Sequence, residues 1–495
     1  MISSNISNPY SGSSNIVVSS PPTTTTTSSK NQKLYDVTIF GATGFTGTLI
    51  TRYLIQRLSS LVESDSDLMV SGRRFCIAGR NESRLNELVM AHNIKMSDKG
   101  RKDLIIDVAV ISKVEKGPKL LELTGNTKVL LNVAGPFIAC GGLEIVDSCV
   151  ETGTDYLDIT GEPEYVLESA QKFHDKAREN NVKIIHCCGF DSIPADLGTN
   201  ISLFHVKNKL EELGISQTDK TTIVTNGYLS LNLPGFVSYG TFNTLVTSLE
   251  NYSVFSGKKT SEKIVQKTSD KKGSYSKRGT QYHAGLQNYI VPFSTSDPLI
   301  VRRSNHLIGY DTSLSENTEN TFEYNNYLQL SNRYYLFLMI IFFMIMFICT
   351  RLSFGARFLR FLYSLKPNPT QKERDESSFE FVFETFGKVT PANSTDPVLF
   401  KCKTRMYNNN DPGYTETAVY CLDSALFLLN NSNAARSNPG VLTPSSVFGV
   451  EQCKEEYLRC LGQHTTLKFD FVEFAHAKGS ENPSLKKEVE KFLKL

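Results

Sequence analysis

The chain has 495 residues, 53 Lys and Arg against 51 Asp and Glu, a formal charge of +2 and 40% hydrophobic residues. That length predicts more than one domain and that composition a sizeable buried core, while the near-zero balance excludes nucleic acid as an expected partner. Ten cysteines without a C-x-x-C pair and eight histidines without metal-type spacing point to neither a disulfide scaffold nor a zinc site, so no metal is expected.

Residues 1–32 are Ser/Thr-rich, with Thr23 to Thr27 in a row, too polar to offset the entropy of ordering, and are expected to be a disordered tail. The first charged residue is Lys30 and no apolar run precedes it, so a secretory signal is not expected. From 33 to 200 the pattern predicts a dinucleotide-binding unit. Asp36 to Phe40 reads as a buried strand, Gly41-Ala42-Thr43-Gly44-Phe45-Thr46-Gly47 follows without a gap, and a helical pattern begins at Thr48. Glycines at this spacing let the backbone turn tightly and approach a pyrophosphate, and the helix start offers unpaired N–H groups. Gly41, Thr43, Gly44, Phe45, Thr46 and Gly47 are therefore candidate cofactor contacts.

Phe75 to Ala78 is a second strand, ending at Gly79-Arg80. An NAD enzyme places a carboxylate here for the ribose hydroxyls, whereas Arg80 suits a 2′-phosphate, so NADP is expected with NAD as the alternative. A third strand is predicted over Leu104 to Val108, with Asp107 either at the adenine edge or a solvated strand end. A fourth, Val129 to Ala134, runs into Gly135-Pro136-Phe137, where Ala134 and Gly135 are small enough for a nicotinamide to lie against backbone. Tyr156 to Thr160 and Val182 to Cys187 complete six strands with helical patterns between them, predicting an α/β fold with a doubly wound Rossmann sheet. Asp158, Glu162 and Asp191 fall at strand ends on the ligand side and are the candidate catalytic acids. Each also reads as a helix cap, the reading preferred for Asp191 ahead of Ser192-Ile193-Pro194.

These motifs together, with Asn132-Val133-Ala134-Gly135-Pro136-Phe137, Tyr156 to Glu162 and Cys188 to Asp196, resemble saccharopine dehydrogenase-like oxidoreductases. The resemblance runs through residues 35–200 and returns more weakly at Leu233 to Thr241, where Tyr239 replaces a glycine frequent in relatives. Pro439 to Pro444 looks like the family's closing helix region. The family includes trans-acting enoyl reductases of lipid synthesis and lipid-droplet-associated proteins, so the resemblance implies oxidoreductase chemistry and a lipid connection. None of the 21 tyrosines is followed by lysine at Tyr-x-x-x-Lys spacing, which excludes the usual proton relay of short-chain dehydrogenases.

Residues 201–435 are expected to form an inserted α+β substrate and dimerisation domain, and 436–495 to pack back on the Rossmann unit. Lys258 to Arg278 is polar and basic, a solvated loop. Between Arg333 and Arg351 seventeen residues are uncharged, fourteen of them (Leu336 to Cys349) continuously apolar. As a helix the seventeen span about 26 Å at about 1.5 Å per residue, marginal for crossing a bilayer core of about 30 Å. A core helix keeps one polar face and this segment has none, so 334–350 is read as membrane-associating, by an embedded or hairpin insertion rather than a single crossing that would divide the fold, with a domain or dimer contact as the alternative. Arg351, Arg357, Arg360 and Lys366 alternate with Phe354, Phe358, Phe361 and Leu362, a pattern suited to an anionic interface. The expected protein is an NAD(P)-dependent oxidoreductase on a cytosol-facing lipid-droplet or ER surface, held through 334–366 and acting on a small-molecule or lipid substrate. The alternatives are a non-catalytic NADP-binding lipid-surface protein and a soluble amino-acid dehydrogenase.

Overall fold

The computed structural model describes residues 33–61, 67–215, 218–235, 237–256, 279–293, 296–310, 320–352, 354–392, 394, 396–435, 437–478 and 481–493. The predicted tail 1–32 and the basic stretch 258–278 lie outside them.

Two seven-stranded sheets organise the chain. The first begins β1 (Tyr35–Phe40), α1 (Phe45–Ser60), β2 (Phe75–Gly79), α2 (Glu82–Asp98), β3 (Ile106–Val110), α3 (Pro118–Gly125), β4 (Thr127–Asn132), α4 (Gly142–Thr152), β5 (Asp155–Asp158), α5 (Pro163–Glu179), β6 (Lys183–Ile185) and α6 (Ile193–Glu212). Its strands are all parallel, in the order β3-β2-β1-β4-β5-β6-β13, so the order reverses between β1 and β4. Helices on both faces explain why strands such as Val37 to Phe40 are buried without alternation.

The second sheet draws on β7 (Thr218–Asn232), α7 (Tyr239–Ser256), β8 (Gln281–His283), β9 (Asn288–Pro292), α8 (Asp297–Ile308), β10 (Thr321–Leu330), α9 (Arg333–Arg351), α10 (Gly355–Ser364), α11 (Gln371–Asp375), β11 (Ser378–Pro391) and β12 (Val398–Asn408). The chain then passes through α12 (Thr417–Asn430), β13 (Gly440–Leu442), α13 (Pro444–Phe448), α14 (Lys454–His464), β14 (Lys468–Lys478) and α15 (Pro483–Leu493). The strand order is β14-β12-β11-β7-β10-β9-β8, antiparallel except for β7 with β10.

Helix α6 is buried throughout its first eleven residues, packed against β7, β11, β12 and β14 of the second sheet and against α8 and α13. Gly198 permits that contact: a Cβ there would stand 2.3 Å from the Phe383 ring of β11. Helix α12 packs on α1 and on β1, β4 and β5 of the parallel sheet. Its buried Asp423 binds Arg57 of α1, which also holds Asp67 at 2.7 Å, while Tyr53 and His464 close the cluster.

Several boundaries differ from the sequence expectation. Pro439 to Pro444 contains a strand, β13, rather than a helix region alone, and it is the seventh strand of the parallel sheet. Residues 436–495 divide between the units, since β14 pairs with β12 and α15 packs under β11 and β12. The second unit is therefore not a simple insertion, because the chain visits each sheet twice. The strand predicted over 104–108 forms two residues later, after a short 3₁₀ turn at Lys102–Leu104.

Candidate active site

The glycine loop joins β1 to α1 at the point where the strand order reverses, the crevice where open α/β sheets take ligands. Gly41 has φ +89°, a left-handed conformation that favours glycine, and a Cβ on it would lie 2.8 Å from the backbone nitrogen of Ala134 at the end of β4. Gly47 lets α1 sit against the turn, since a Cβ there would be 2.3 Å from the Gly41 carbonyl oxygen. Gly44 caps α1 with no side-chain hydrogen bond, leaving first-turn N–H groups without the side-chain acceptor that a Ser or Asp cap would supply. These features fit a pyrophosphate. Thr43, Phe45 and Thr46 are half-buried on the same loop.

A cleft of about 400 Å³ opens beside it, lined by Thr43, Gly44, Phe45, Thr48 and Leu49 and by the cations Arg52, Arg84 and Arg374. Arg374 comes from α11 of the second unit. It is buried, its Cζ lies 5.6 Å from the centre of the Phe45 ring, it donates to Pro369 O at 2.7 Å, and its Nε has no hydrogen-bond partner among the described residues. Arg80 follows β2 and is exposed at the same edge of the sheet. Sequence reasoning missed Arg52, Arg84 and Arg374. Arg84 carried a signal: a cation in the first turn of α2 opposes the helix dipole unless an anion binds there.

Ala134 and Gly135 lie just beyond β4, and their loop is held by Glu162, whose Oε1 accepts Phe137 N–H at 2.7 Å and Oε2 accepts Ile138 N–H at 3.1 Å. Both oxygens are thus engaged, and burial raises the Glu162 pKa. Asp158 is fully buried. Its Oδ1 accepts Thr160 N–H and Cys187 N–H at 3.1 and 3.0 Å, and its Oδ2 lies 2.7 Å from His186 Nδ1, whose Nε2 meets Ser169 Oγ at 2.8 Å. This network ties β5 to β6 and α5 and removes Asp158 from the candidate catalytic acids. Asp107 also drops out as a cofactor contact. It is the second residue of β3, near the end opposite the glycine loop, and pairs with Arg74 at 3.4 Å.

Asp191 differs from the other two acids. The cap of α6 is Ser192, not Asp191, and Ser192 Oγ lies 3.1 Å from Ser296 Oγ, which draws the segment before α8 against the end of β6. Asp191 remains partly accessible and makes no hydrogen bond through its side chain among the described residues. A Cβ on Gly161 would stand 3.2 Å from its Oδ2, so the absence of a side chain there leaves room for the carboxyl. Burial, and then the charge of Asp297, push Asp191 up to about 7. No group of three or more His, Cys, Asp or Glu suited to a metal occurs among the described residues.

A parallel sheet with a glycine loop at its switch point, flanked by arginines, defines a dinucleotide-binding unit of the oxidoreductase type. Residues 37–185 match the family described as saccharopine dehydrogenase NADP binding domain, and NADP is the cofactor. The whole chain is similar to saccharopine dehydrogenase-like oxidoreductases. It is 28% identical over 436 residues to the one from Bos taurus, covering 84% of this chain and 94% of that protein. It is 27% identical over 447 residues to the Lipid droplet localized protein of Caenorhabditis elegans, covering 86% and 97%. Among solved structures, apo saccharopine dehydrogenase (L-Glu forming) from Saccharomyces cerevisiae aligns with 89% of this chain and 100% of its own, at 11% identity and TM-score 0.47.

Proposed function

We propose that the protein is an NADP-dependent oxidoreductase acting on a lipid-related substrate at a membrane or lipid-droplet surface. The observation that carries the reading is the cationic cleft beside the glycine loop. In this reading the Gly41 to Gly47 backbone and the α1 N-terminus hold the pyrophosphate. Arg80, Arg84 and Arg52 hold the 2′-phosphate, Arg374 closes the cleft from the second unit, and Ala134 and Gly135 bring bare backbone to the nicotinamide. The dinucleotide, when bound, supplies or accepts a hydride.

Asp191 handles the proton. In the reducing direction its carboxyl delivers a proton to the atom adjacent to the carbon that gains hydride; burial, and then the charge of Asp297, raise that carboxyl to about 7, so it carries a proton in part of the molecules near neutrality. In the oxidising direction the carboxylate takes the proton back. The lipid part of the reading is supported by α9, whose apolar side chains are exposed, and by similarity to a protein named for lipid-droplet localisation.

The test is NADPH consumption by the purified chain presented with lipid carbonyl and enoyl compounds in vesicles, beside an amino-acid panel. Turnover on a lipid, with Asp191→Asn lowering kcat and leaving NADPH Kd unchanged, is the expected result. Tight NADPH binding with no turnover on either panel would replace the reading with a non-catalytic one.

A further inference from the structure

The second sheet decides how α9 meets lipid. β10 runs parallel to β7 in a register ending at Leu328 opposite Leu229, and two residues after β10 the chain enters α9. It returns through α10 and α11 into β11, which is antiparallel to β7 and starts with Ser378 opposite Asn232. Departure and return therefore flank one strand at one end of one sheet, about 10 Å apart at about 4.8 Å per strand. A helix crossing a bilayer would place β10 and β11 on opposite sides and break the sheet they share.

The helices beyond that edge form a compact set. Phe242 and Val246 of α7 pack with Met346 of α9 and Ala356 of α10, and Phe242 stacks on Tyr363 with centroids 3.8 Å apart. Arg360 binds Asn243 at 2.6 Å and Glu250 at 2.5 Å, and Arg351 donates to Leu249 O at 3.3 Å. Helix α9 buries only Met346 and Thr350 there. Its exposed side chains, Phe337, Leu338, Phe342, Phe343, Ile345 and Ile348 among them, sweep about three quarters of its circumference at about 100° per residue.

Charge identifies the surface. Residues 324–372 contain no Asp or Glu, in a chain that has 51, and carry Arg333, Arg351, Arg357, Arg360, Lys366 and Lys372. Arg333 and Arg351 stand at the two ends of α9, so end-on insertion would sink Arg351 and exposed Arg357 into hydrocarbon, whereas lying flat leaves both at headgroup level. Phe354, just before α10, and Phe358, Phe361 and Leu362 on it are exposed beside them.

Building on the lipid-surface reading above, we infer that α9 is a non-spanning anchor that lies in the plane of a single anionic phospholipid leaflet, with α10 resting on the same surface. The chain has no tryptophan, so single reporters can be placed without background. Phe337→Trp, Phe343→Trp and Phe347→Trp, each in the full chain, are mixed with phosphatidylcholine vesicles with and without phosphatidylserine, using lipids brominated at graded acyl depths.

The expected result is preferential binding to the anionic vesicles and shallow quenching for all three reporters within about one helix width, with residue 337, opposite Met346 and Thr350, the deepest. Arg357→Gln is expected to weaken partitioning about fivefold. A graded profile, with residue 343 near the centre and 337 and 347 nearer opposite faces, would overturn the in-plane anchor and leave the lipid-surface reading intact. Equal binding to neutral and anionic vesicles would overturn the assignment of an anionic leaflet. No binding by well-folded reporters to either vesicle would overturn this inference and also remove the support α9 gives to the lipid-surface reading. The cleft and its NADPH chemistry do not depend on that outcome.

Discussion

Gly47→Ala tests whether the glycine loop is built for a phosphate group. The new Cβ would stand 2.3 Å from Gly41 O and 2.8 Å from Ala42 Cα, where Cβ atoms keep at least 3.0 Å. The shortfall is 0.7 Å against Gly41 O and 0.2 Å against Ala42 Cα, both backbone atoms of the turn, so α1 must move away from the turn. Overpacking of this kind costs about 1–3 kcal/mol of stability. Displacing the α1 N-terminus by nearly 1 Å is expected to weaken NADPH binding on the order of 100-fold, by the sensitivity of positioned polar groups. Calorimetric titration with NADPH gives the affinity and a thermal melt gives the stability. Gly153→Ala is the control, at φ +67° with open space around its Cβ and distant from the loop, and should lower Tm modestly without changing NADPH Kd. A Gly47→Ala protein that binds NADPH as tightly as the parent would refute the assignment of this loop to the pyrophosphate.

Further outcomes follow from other parts of the molecule. Arg84→Ala should weaken NADPH by about 10- to 100-fold, the value of a charge-assisted hydrogen bond, and leave NADH unchanged in parallel titrations. Asp423→Ala removes the buried partner of Arg57 in the α1–α12 interface but leaves Asp67 paired with it, and should cost about 1–3 kcal/mol in urea unfolding. Burial pushes Asp196 and Glu416 up to about 7, so between pH 4 and 7 the folded chain holds protons that the unfolded chain releases. Stability should therefore fall as pH rises through that window, and Asp196→Asn should flatten the slope of Tm against pH.

The parallel sheet was legible because its strands are continuous apolar runs punctuated by glycine, and the first loop carries its chemistry within seven consecutive residues. Site residues whose roles depend on strand ends were harder to read. A two-residue displacement of β3 moves Asp107 from the ligand edge to near the other end of the strand, and no local pattern fixes that boundary. Asp158 and Glu162 have the right residue type and edge, yet their oxygens are taken by His186 and by the Phe137 and Ile138 amides, partners that only the folded sheet supplies. Arg374 reaches Phe45 across more than three hundred residues of chain, and Asp297 acts on Asp191 from the first turn of α8, about a hundred residues further along the chain. β13 spans three residues, too short for any periodicity to show. The apolar segment, by contrast, was visible from composition, but its topology waited on the pairing of β10 and β11 with β7.

The most direct test of the central claim is isotope transfer. The purified chain is incubated with NADPH carrying deuterium at nicotinamide C4 and with a total lipid extract in anionic vesicles, and the lipids are read by mass spectrometry. The expected result is one deuterium appearing in a defined lipid species, reduced strongly in Asp191→Asn although that variant still binds NADPH. No deuterium in any lipid, from a protein shown to bind NADPH, would contradict it.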